Sequence, residues 1–307
     1  MTAAAADPRR DAKRSAEQHL AYALLFVAPA LWSVNYLIAR WAPGVIAPHA
    51  LALGRWTVAA LLLGAFARRE LLAGRGLIAA EWRRCLVLGA LGMWVCGAFV
   101  YIGGRSTSAV NIGLLYAASP VLIALASALW LGERLRPAQW AGVALALAGV
   151  LHIIVQGRWA ALAQLRVNAG DLWVAVAVLC WTAYSLLLRV WPSAFGPVAR
   201  LALIACGGIV VLIPFTAFEA LAWLPTSPSW RAAALVVAAA LIPGAGAYAA
   251  YSLMQRTLGA ARVGIVLYLA PLYSALAGWA VLGEPIRAFH AVGTLLILPG
   301  IWLASGR

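Results

Sequence analysis

The chain has 307 residues, of which 65% are hydrophobic and only 10% are charged, and its formal net charge is +14. A soluble domain carries about 25% charged residues, so this composition excludes a soluble globular protein. A membrane-crossing helix uses about 20 apolar residues, so membrane helices account for nearly the whole length and leave no room for a soluble domain.

The chain begins with 18 polar and charged residues, and the apolar run that follows is too long for the core of a signal peptide. We therefore expect an uncleaved cytoplasmic tail at residues 1–19. Apolar stretches then predict ten membrane helices, because unpaired backbone groups are too costly in lipid. Their predicted bounds are 20–41, 47–67, 84–104, 109–131, 137–157, 170–190, 197–218, 232–254, 260–282 and 287–305. The predicted fold is an all-α polytopic membrane protein.

The basic residues are distributed unevenly between the two sides that these spans define. If the N-terminus is cytoplasmic, the cytoplasmic segments carry 16 Lys and Arg residues and the outer segments carry 6. Such an excess is typical of cytoplasmic loops in membrane proteins. We therefore expect both termini in the cytoplasm of a bacterial cell, and we attribute the positive charge to topology rather than to a nucleic-acid partner.

Two parts of the chain, residues 109–150 and 260–301, repeat one another at an offset of 151 residues. The matched pairs are Gly113 with Gly264, Pro120 with Pro271, Gly132-Glu133 with Gly283-Glu284, Arg136 with Arg287, Gly142 with Gly293 and Gly149 with Gly300. An offset of 149 residues relates Trp32-Ser33 and Arg40 to Trp181-Thr182 and Arg189. This pattern predicts two repeats, at 20–157 and 170–305.

Each predicted repeat contains five spans, an odd number, so the second repeat enters the membrane from the opposite side. Inverted repeats are typical of transporters that bind their substrate near mid-membrane and alternate access by rocking. The sequence therefore predicts ten helices arranged as two inverted five-helix repeats around a central cavity.

These features resemble the EamA-like group of the drug/metabolite transporter superfamily. The resemblance rests on the two repeats, the paired prolines Pro120 and Pro271, the LGE turns at 131–133 and 282–284, and Arg55 in the second span. Within the superfamily, the Trp- and Tyr-rich interior is similar to YddG-type exporters of aromatic amino acids. The resemblance implies an inner-membrane exporter of a small metabolite that works without ATP.

The candidate substrate-binding residues are mid-depth aromatic and polar side chains. Trp32, Asn35 and Tyr36 share one helix face because they are three and four residues apart. Trp181 and Tyr184 form the matching face in the second repeat, together with Ser185. Such a polar face is expected to point into the bundle, either for interhelical hydrogen bonding or as a pocket wall, and we favour the pocket. Further candidates are Tyr101, Asn111, Tyr116, Ser119, Tyr248, Tyr251, Tyr268 and Tyr273, with gating or interface anchoring as the alternative for Tyr101 and Asn111.

Prolines within predicted spans mark weak points, because each removes one intrahelical hydrogen bond. Pro120 and Pro271 are expected to act as hinges or to form static kinks. Pro243, followed by Gly244 and Gly246, marks another weak point without a match in the first half.

Arg55 is the intramembrane charge of the predicted spans. A charge at such a depth indicates function by default. Arg55 could receive a substrate carboxylate, or it could reach the outer headgroups or cap a helix end. We expect no Asp or Glu in any span interior, and the histidines His49, His152 and His290 to be interfacial. Proton-coupled pumps usually place carboxylates in the membrane, so uniport is the simplest predicted mechanism.

The predicted function is therefore export of aromatic or other hydrophobic amino acids by a monomeric protein surrounded by lipids. Same-fold alternatives are export of lipid-like amphiphiles, drugs or nucleotide sugars, although a nucleotide would need several basic residues in the cavity. An intramembrane serine hydrolase would need a histidine at mid-span depth beside Ser119 or Ser274, and the predicted spans offer none. A non-transporting helix bundle is a further alternative. We expect no catalytic residues, no metal site and no cofactor.

Overall fold

Long helices joined by short turns make up the fold in the computed structural model, which describes residues 8–132, 136–160, 168–222, 229–258 and 266–304. The description covers side chains in these ranges except those at 8–15, 252, 255, 256, 266–268, 270, 271 and 304. All regular secondary structure within the described ranges is helical.

The helices follow the predicted spans closely. In chain order they are α1 (Pro8–Trp41), α2 (Pro48–Phe66), α3 (Arg75–Gly103), α4 (Ala109–Leu131), α5 (Pro137–Ile154), α6 (Ala169–Val190), α7 (Pro197–Ala222), α8 (230–258), α9 (Val266–Leu282) and α10 (Ala288–Ala304). A short helix, Arg68–Ala73, lies between α2 and α3, so the connection expected at 68–83 is largely helical. We call the end of the bundle that holds Trp41 and Pro48 the Trp41 face, and the opposite end the Phe66 face.

Among the described residues, eight helices, α1 to α8, contain stretches long and apolar enough to cross a membrane. The apolar stretches Leu272–Leu282 of α9 and Ala288–Leu303 of α10 are shorter. The protein is therefore a multi-pass helical membrane protein, while the count of ten spans stays a prediction.

Local sequence signals explain several of the helix ends. Ser108, Asn168 and Ser229 precede α4, α6 and α8, and each side chain accepts a hydrogen bond from a backbone N–H of the first turn. Gly132 after α4 and Gly283 after α9 have φ values of 68° and 65°. These two turns match at the offset of 151 residues, and glycine adopts that left-handed conformation at little cost.

Three helices depart from regular α geometry. Ala90–Phe99 in α3 and Ala240–Gly246 in α8 are π-helical. Gly92 and Pro243 are 151 residues apart within these segments, so the weak point at Pro243 does have a structural counterpart in the first half, which corrects the expectation above. In α4, the helix is interrupted at Ala118, and Pro120 is the second residue of the segment that follows.

Six of the helices form two groups. The first bundle contains α3, α4 and α6, where α6 packs on both α3 and α4. The second bundle contains α1, α8 and α9, where α1 packs on both α8 and α9. The space between the two bundles contains the cavity described below.

The remaining helices pack as two pairs, α2 with α7 and α5 with α10. Glycines allow α5 and α10 to approach closely. A Cβ atom added to Gly300 would lie 2.7 Å from the backbone nitrogen of Ala146, and one added to Gly149 would lie 2.7 Å from the Ile297 side chain. Small residues at helix contacts are typical of membrane bundles, where close packing replaces the hydrophobic effect.

The outer surface of the bundle is strongly apolar. Large side chains such as Phe66, Leu221 and Leu295 are 85%, 89% and 71% exposed. Such a surface would associate in water, so it is suited to contact with lipid chains.

Candidate functional site

A buried arginine lies at the centre of the bundle. Arg55 on α2 is only 5% exposed. Its Nη1 donates to the side-chain oxygen of Asn35 on α1 at 2.9 Å and to the Tyr101 hydroxyl on α3 at 3.2 Å. The Tyr101 hydroxyl in turn donates to the same Asn35 oxygen at 2.9 Å. These three side chains join α1, α2 and α3 through one closed set of hydrogen bonds.

The π-helical segment of α8 supplies a further acceptor for Arg55. Its Nη2 donates to the backbone carbonyl of Pro243 at 3.4 Å. A π-helical segment redirects carbonyl groups out of the regular α-helical pattern, and such segments are frequent at functional sites. Arg55 therefore contacts both bundles as well as its own helix.

The guanidinium of Arg55 retains donor capacity. Its buried Nε has no hydrogen-bond partner, and in the described part of the chain no carboxylate lies within ion-pair distance. The guanidinium carbon lies 4.7 Å from the ring centroid of Trp56. Arginine binds carboxylates through two parallel hydrogen bonds, so this group has the chemistry to receive one.

A cavity lies against Arg55 between the two bundles. It encloses about 770 Å³ of empty space, including the part open to solvent. Helices α1, α2, α3, α4, α6 and α8 contribute its walls. The lining residues are Trp32, Asn35, Tyr36, Arg55, Trp56, Gly92, Cys96, Tyr116, Ala117, Ser119, Trp181 and Tyr248.

Aromatic rings make up much of this wall and pack against one another. Trp32 contacts Tyr248 with ring centroids 6.3 Å apart, and Tyr248 contacts Trp56 at 6.0 Å, both edge to face. On the other side, Tyr36 and Tyr116 stack at 6.0 Å. Aromatic neighbours favour such geometries, so the rings hold each other in place around a mostly apolar space.

Eight of the eleven predicted substrate-binding residues line this cavity: Trp32, Asn35, Tyr36, Arg55, Tyr116, Ser119, Trp181 and Tyr248. Tyr101 lies behind Arg55 and is 1% exposed, rather than near a membrane face. Tyr184 lies behind Trp181, with ring centroids 5.2 Å apart. The side chains of Tyr268 and of the predicted hinge Pro271 lie outside the described residues.

Sequence reasoning missed four lining residues: Trp56, Gly92, Cys96 and Ala117. Trp56 had an available signal, because it is a mid-span aromatic beside Arg55. Gly92 matters through its size, since an added Cβ would lie 2.8 Å from the Tyr184 ring. The Gly92 position in a π-helical segment could not be read from sequence, and neither could the orientations of Cys96 and Ala117.

A second polar cluster corrects the expectation that no carboxylate lies within a span. Asp171, in the first turn of α6, is completely buried. It accepts hydrogen bonds from the Thr107 hydroxyl and from the side-chain amide of Asn111, the latter at 3.1 and 3.3 Å. The Asn111 oxygen lies 3.0 Å from Nε2 of His290, which is also buried rather than interfacial. This cluster connects α4, α6 and α10 near the Trp41 face and lies apart from the cavity lining.

No group of three or more His, Cys, Asp or Glu side chains within the described ranges is arranged to hold a metal ion. Ser119, considered above as a nucleophile, donates its hydroxyl to the backbone carbonyl of Tyr116 at 2.7 Å. That bond is local and is typical of a serine near a helix interruption.

The sequence profile of the EamA-like transporter family matches residues 19–155 and again residues 168–306. The chain belongs to the EamA-like transporter family. The expectation of a membrane transporter is thereby confirmed, and membership in this transporter family is consistent with a protein that is not an enzyme.

Named relatives of this EamA-like chain are also transporters. The chain is 25% identical over 295 residues to the uncharacterized transporter YyaM of Bacillus subtilis (strain 168), with 93% of each chain covered. It is 26% identical over 296 residues to a probable terminal-alkyne amino-acid exporter of Streptantibioticus cattleyicolor, covering 92% of this chain and 95% of that one. A solved crystal structure matches its fold with a TM-score of 0.61 at 24% identity, covering 92% and 96% of the two chains.

Proposed function

We propose that the protein exports aromatic or other hydrophobic amino acids across the bacterial inner membrane, by alternating access through the cavity beside Arg55. The observation that carries this proposal is the position of a buried guanidinium, with an unpartnered Nε, at the wall of a cavity lined by aromatic rings. The guanidinium would bind the carboxylate of the amino acid, and the rings would surround its side chain. The name of the Streptantibioticus relative, a probable amino-acid exporter, also supports this cargo.

Three observations support an arrangement of the helices as two inverted five-helix repeats. The family profile matches the chain twice. The π-helical segments of α3 and α8 coincide at the offset of 151 residues. Exchanging α1–α5 with α6–α10 also converts the first bundle into the second, and it preserves the α2–α7 and α5–α10 pairs.

This arrangement has consequences for topology and assembly. With both termini cytoplasmic, as the basic residues indicate, the Trp41 face is the outer one and the Phe66 face is the cytoplasmic one. Because one chain carries both repeats, a monomer contains the whole transport pathway. Pro120, at the interruption of α4, and Pro271 of α9 are then candidates for paired hinges.

Uniport is the proposed energetic mode. None of the residues described as lining the cavity is an Asp or Glu, and intramembrane carboxylates are the groups that usually couple transport to protons. Asp171 is buried elsewhere, in hydrogen bonds that join helices of the Trp41 face. Outward movement of cargo down its own gradient is therefore the simplest mechanism.

The test is efflux of radiolabelled phenylalanine from liposomes that contain the purified protein, without an imposed proton gradient. Replacement of both Trp32 and Trp181 by alanine should slow efflux strongly, because two walls of the cavity are lost. The matched control replaces Trp130 and Trp230, which are 71% and 77% exposed near helix ends, and should leave efflux unchanged. Efflux that is equal in both variants would remove the cavity from the mechanism.

The mostly apolar wall also suits an amphiphile without a carboxylate, and competition distinguishes the two cargo classes. Phenylalanine in excess should compete with the labelled substrate much better than 2-phenylethylamine, which lacks the carboxylate that Arg55 would bind. Equal competition by the two compounds would favour a general exporter of amphiphiles. Failure to transport any amino acid, with or without a proton gradient, would contradict the cargo assignment.

A further inference from the structure

An ion pair at the Trp41 face bridges the two bundles. Arg40, near the end of α1, donates from Nε to Oε1 of Glu284 at 2.9 Å, in the turn after α9. Both residues belong to the second bundle or its adjoining turn. Arg40 also donates from Nη1 to the carbonyl of Gly104 at 2.7 Å, and Oε2 of Glu284 accepts from the backbone N–H of Ala109 at 2.9 Å. Gly104 and Ala109 lie at the end of α3 and the start of α4, in the first bundle.

The two backbone groups in this contact belong to helix ends. The last carbonyls and the first N–H groups of a helix have no partner within the helix, so a side chain or water must satisfy them. When the bundles are together, Arg40 and Glu284 satisfy them; when the bundles separate, water can. The contact therefore costs little to open and is suited to a reversible closure.

The sequence places the same residue types at the Phe66 face. Arg189 near the end of α6 matches Arg40 at the offset of 149 residues, and Glu133 matches Glu284 at 151. The backbone positions Gly104 and Ala109 match Gln255 and Ala260 at 151. Gly132, which precedes Glu133, has nearly the same φ as Gly283, which precedes Glu284. Arg189 is exposed, whereas Arg40 is only partly so.

We propose that these two pairs are alternating gates. Arg40 and Glu284 close the Trp41 face by binding the backbone of the first bundle at Gly104 and Ala109. In the opposite state, Arg189 and Glu133 close the Phe66 face by binding the backbone of the second bundle at Gln255 and Ala260. This inference rests on the inverted-repeat transporter proposed above and adds to it the residues that close each side.

Other polar contacts at the Trp41 face do not bridge the two bundles. The Asp171–Asn111–His290 cluster joins α4, α6 and α10. The His49–Glu219 pair, with Nδ1 and Oε1 3.0 Å apart, joins α2 to α7. Because neither contact ties the first bundle to the second, neither prevents their separation, and the second is a matched control at the same face.

The test introduces pairs of cysteines that can form disulfides only when a face is closed. In a protein whose four native cysteines, Cys85, Cys96, Cys180 and Cys206, are replaced by alanine, one pair is Glu284→Cys with Ala109→Cys. The repeat-related pair is Glu133→Cys with Ala260→Cys. Each pair alone should form a disulfide under oxidation. In a protein that carries both pairs, the two disulfides should exclude one another within a single molecule.

A control pair, His49→Cys with Glu219→Cys, should form its disulfide together with either gate disulfide. Independent formation of both gate disulfides in the same molecule would overturn the proposal, as would failure of the pair at positions 133 and 260 to form one. Either gate disulfide should also stop phenylalanine efflux, and a reductant should restore it. Mutually exclusive disulfides in a protein that exports no amino acid would leave the gates standing and contradict only the cargo.

Isosteric variants give a second measurement that does not depend on the folding of the cysteine pairs. With Trp32→Cys as a single reporter in the cavity, a membrane-impermeant maleimide is added at the outer side. Glu284→Gln should increase labelling by opening that side, and Glu133→Gln should decrease it by favouring the opposite state. Glu219→Gln should change nothing. Equal labelling in all of these variants would contradict the gating role.

Discussion

The side-chain oxygen of Asn35 accepts a hydrogen bond from Arg55 at 2.9 Å, and this bond joins α1 to α2 at the wall of the central cavity. Asparagine satisfies the guanidinium partly without neutralising its charge. The positive charge therefore stays available to a ligand, which an aspartate at the same position would not permit.

We predict that Asn35→Asp retains the fold but impairs transport of amino acids. The new carboxylate has the same shape and would pair with Arg55, so it would compete with the carboxylate of the cargo. The KM for phenylalanine should rise about tenfold or more, which corresponds to about 1.4 kcal/mol of lost binding. Competition by 2-phenylethylamine should not weaken in the same variant. An unchanged KM would contradict a role of Arg55 in carboxylate binding.

The buried carboxylate of Asp171 should matter for stability rather than for coupling. Asp171→Asn presents an amide donor to the Thr107 and Asn111 donors, so at least one hydrogen bond is lost in a buried site. We expect a loss of about 1–3 kcal/mol in the free energy of unfolding, measured by chemical denaturation in detergent. Glu70→Gln alters an exposed carboxylate at the Phe66 face and should stay within about 0.5 kcal/mol. A stable Asp171→Asn protein whose efflux becomes insensitive to an imposed pH gradient would instead assign Asp171 to proton coupling.

The close contact of α5 and α10 should make Gly300 intolerant of a side chain. A Cβ atom on Gly300 would meet backbone atoms of Ala146 and Gly142 at 2.7 and 2.8 Å, and backbone cannot move aside as a side chain can. Gly300→Ala should destabilise the protein by about 1–3 kcal/mol. Gly64 in α2 has no atom within 4 Å of an added Cβ, so Gly64→Ala should be neutral or stabilising by roughly 0.5–1 kcal/mol. Equal thermal stability of the two variants would show that the helices separate without cost.

Pro243 should be required for transport but not for folding. Pro243→Ala restores a backbone N–H that can donate to the carbonyl of Ala239 and favours regular α-helix, and it would move the Pro243 carbonyl away from Arg55. We expect stability to rise by up to about 3 kcal/mol, while the initial rate of phenylalanine efflux falls. The control is Pro214→Ala, which removes an exposed proline from within α7 and should leave efflux unchanged. Normal efflux by Pro243→Ala would remove the π-helical segment from the mechanism.

Composition and spacing were sufficient to predict a helical membrane transporter of the EamA-like family, because both signals are local. Apolar runs report length against bilayer thickness, and the offsets of 151 and 149 residues report the duplication directly. Mid-depth polar aromatics also pointed to the right region, since Trp32, Tyr36 and Trp181 all line the cavity. Their role in binding cargo stays a prediction.

Only the tertiary structure decided which faces of the helices enclose the cavity and which groups satisfy the buried charge. Lipid and protein interior are both apolar, so an apolar helix carries little record of which side faces which. Trp56 and Gly92 were therefore missed, and the burial of Asp171 and His290 depended on Thr107 and Asn111 from other segments. The partners of Arg55 come from α1, α3 and a π-helical turn of α8. Hydrogen bonds between helices far apart in sequence depend on packing, and packing leaves no periodic signal in the chain.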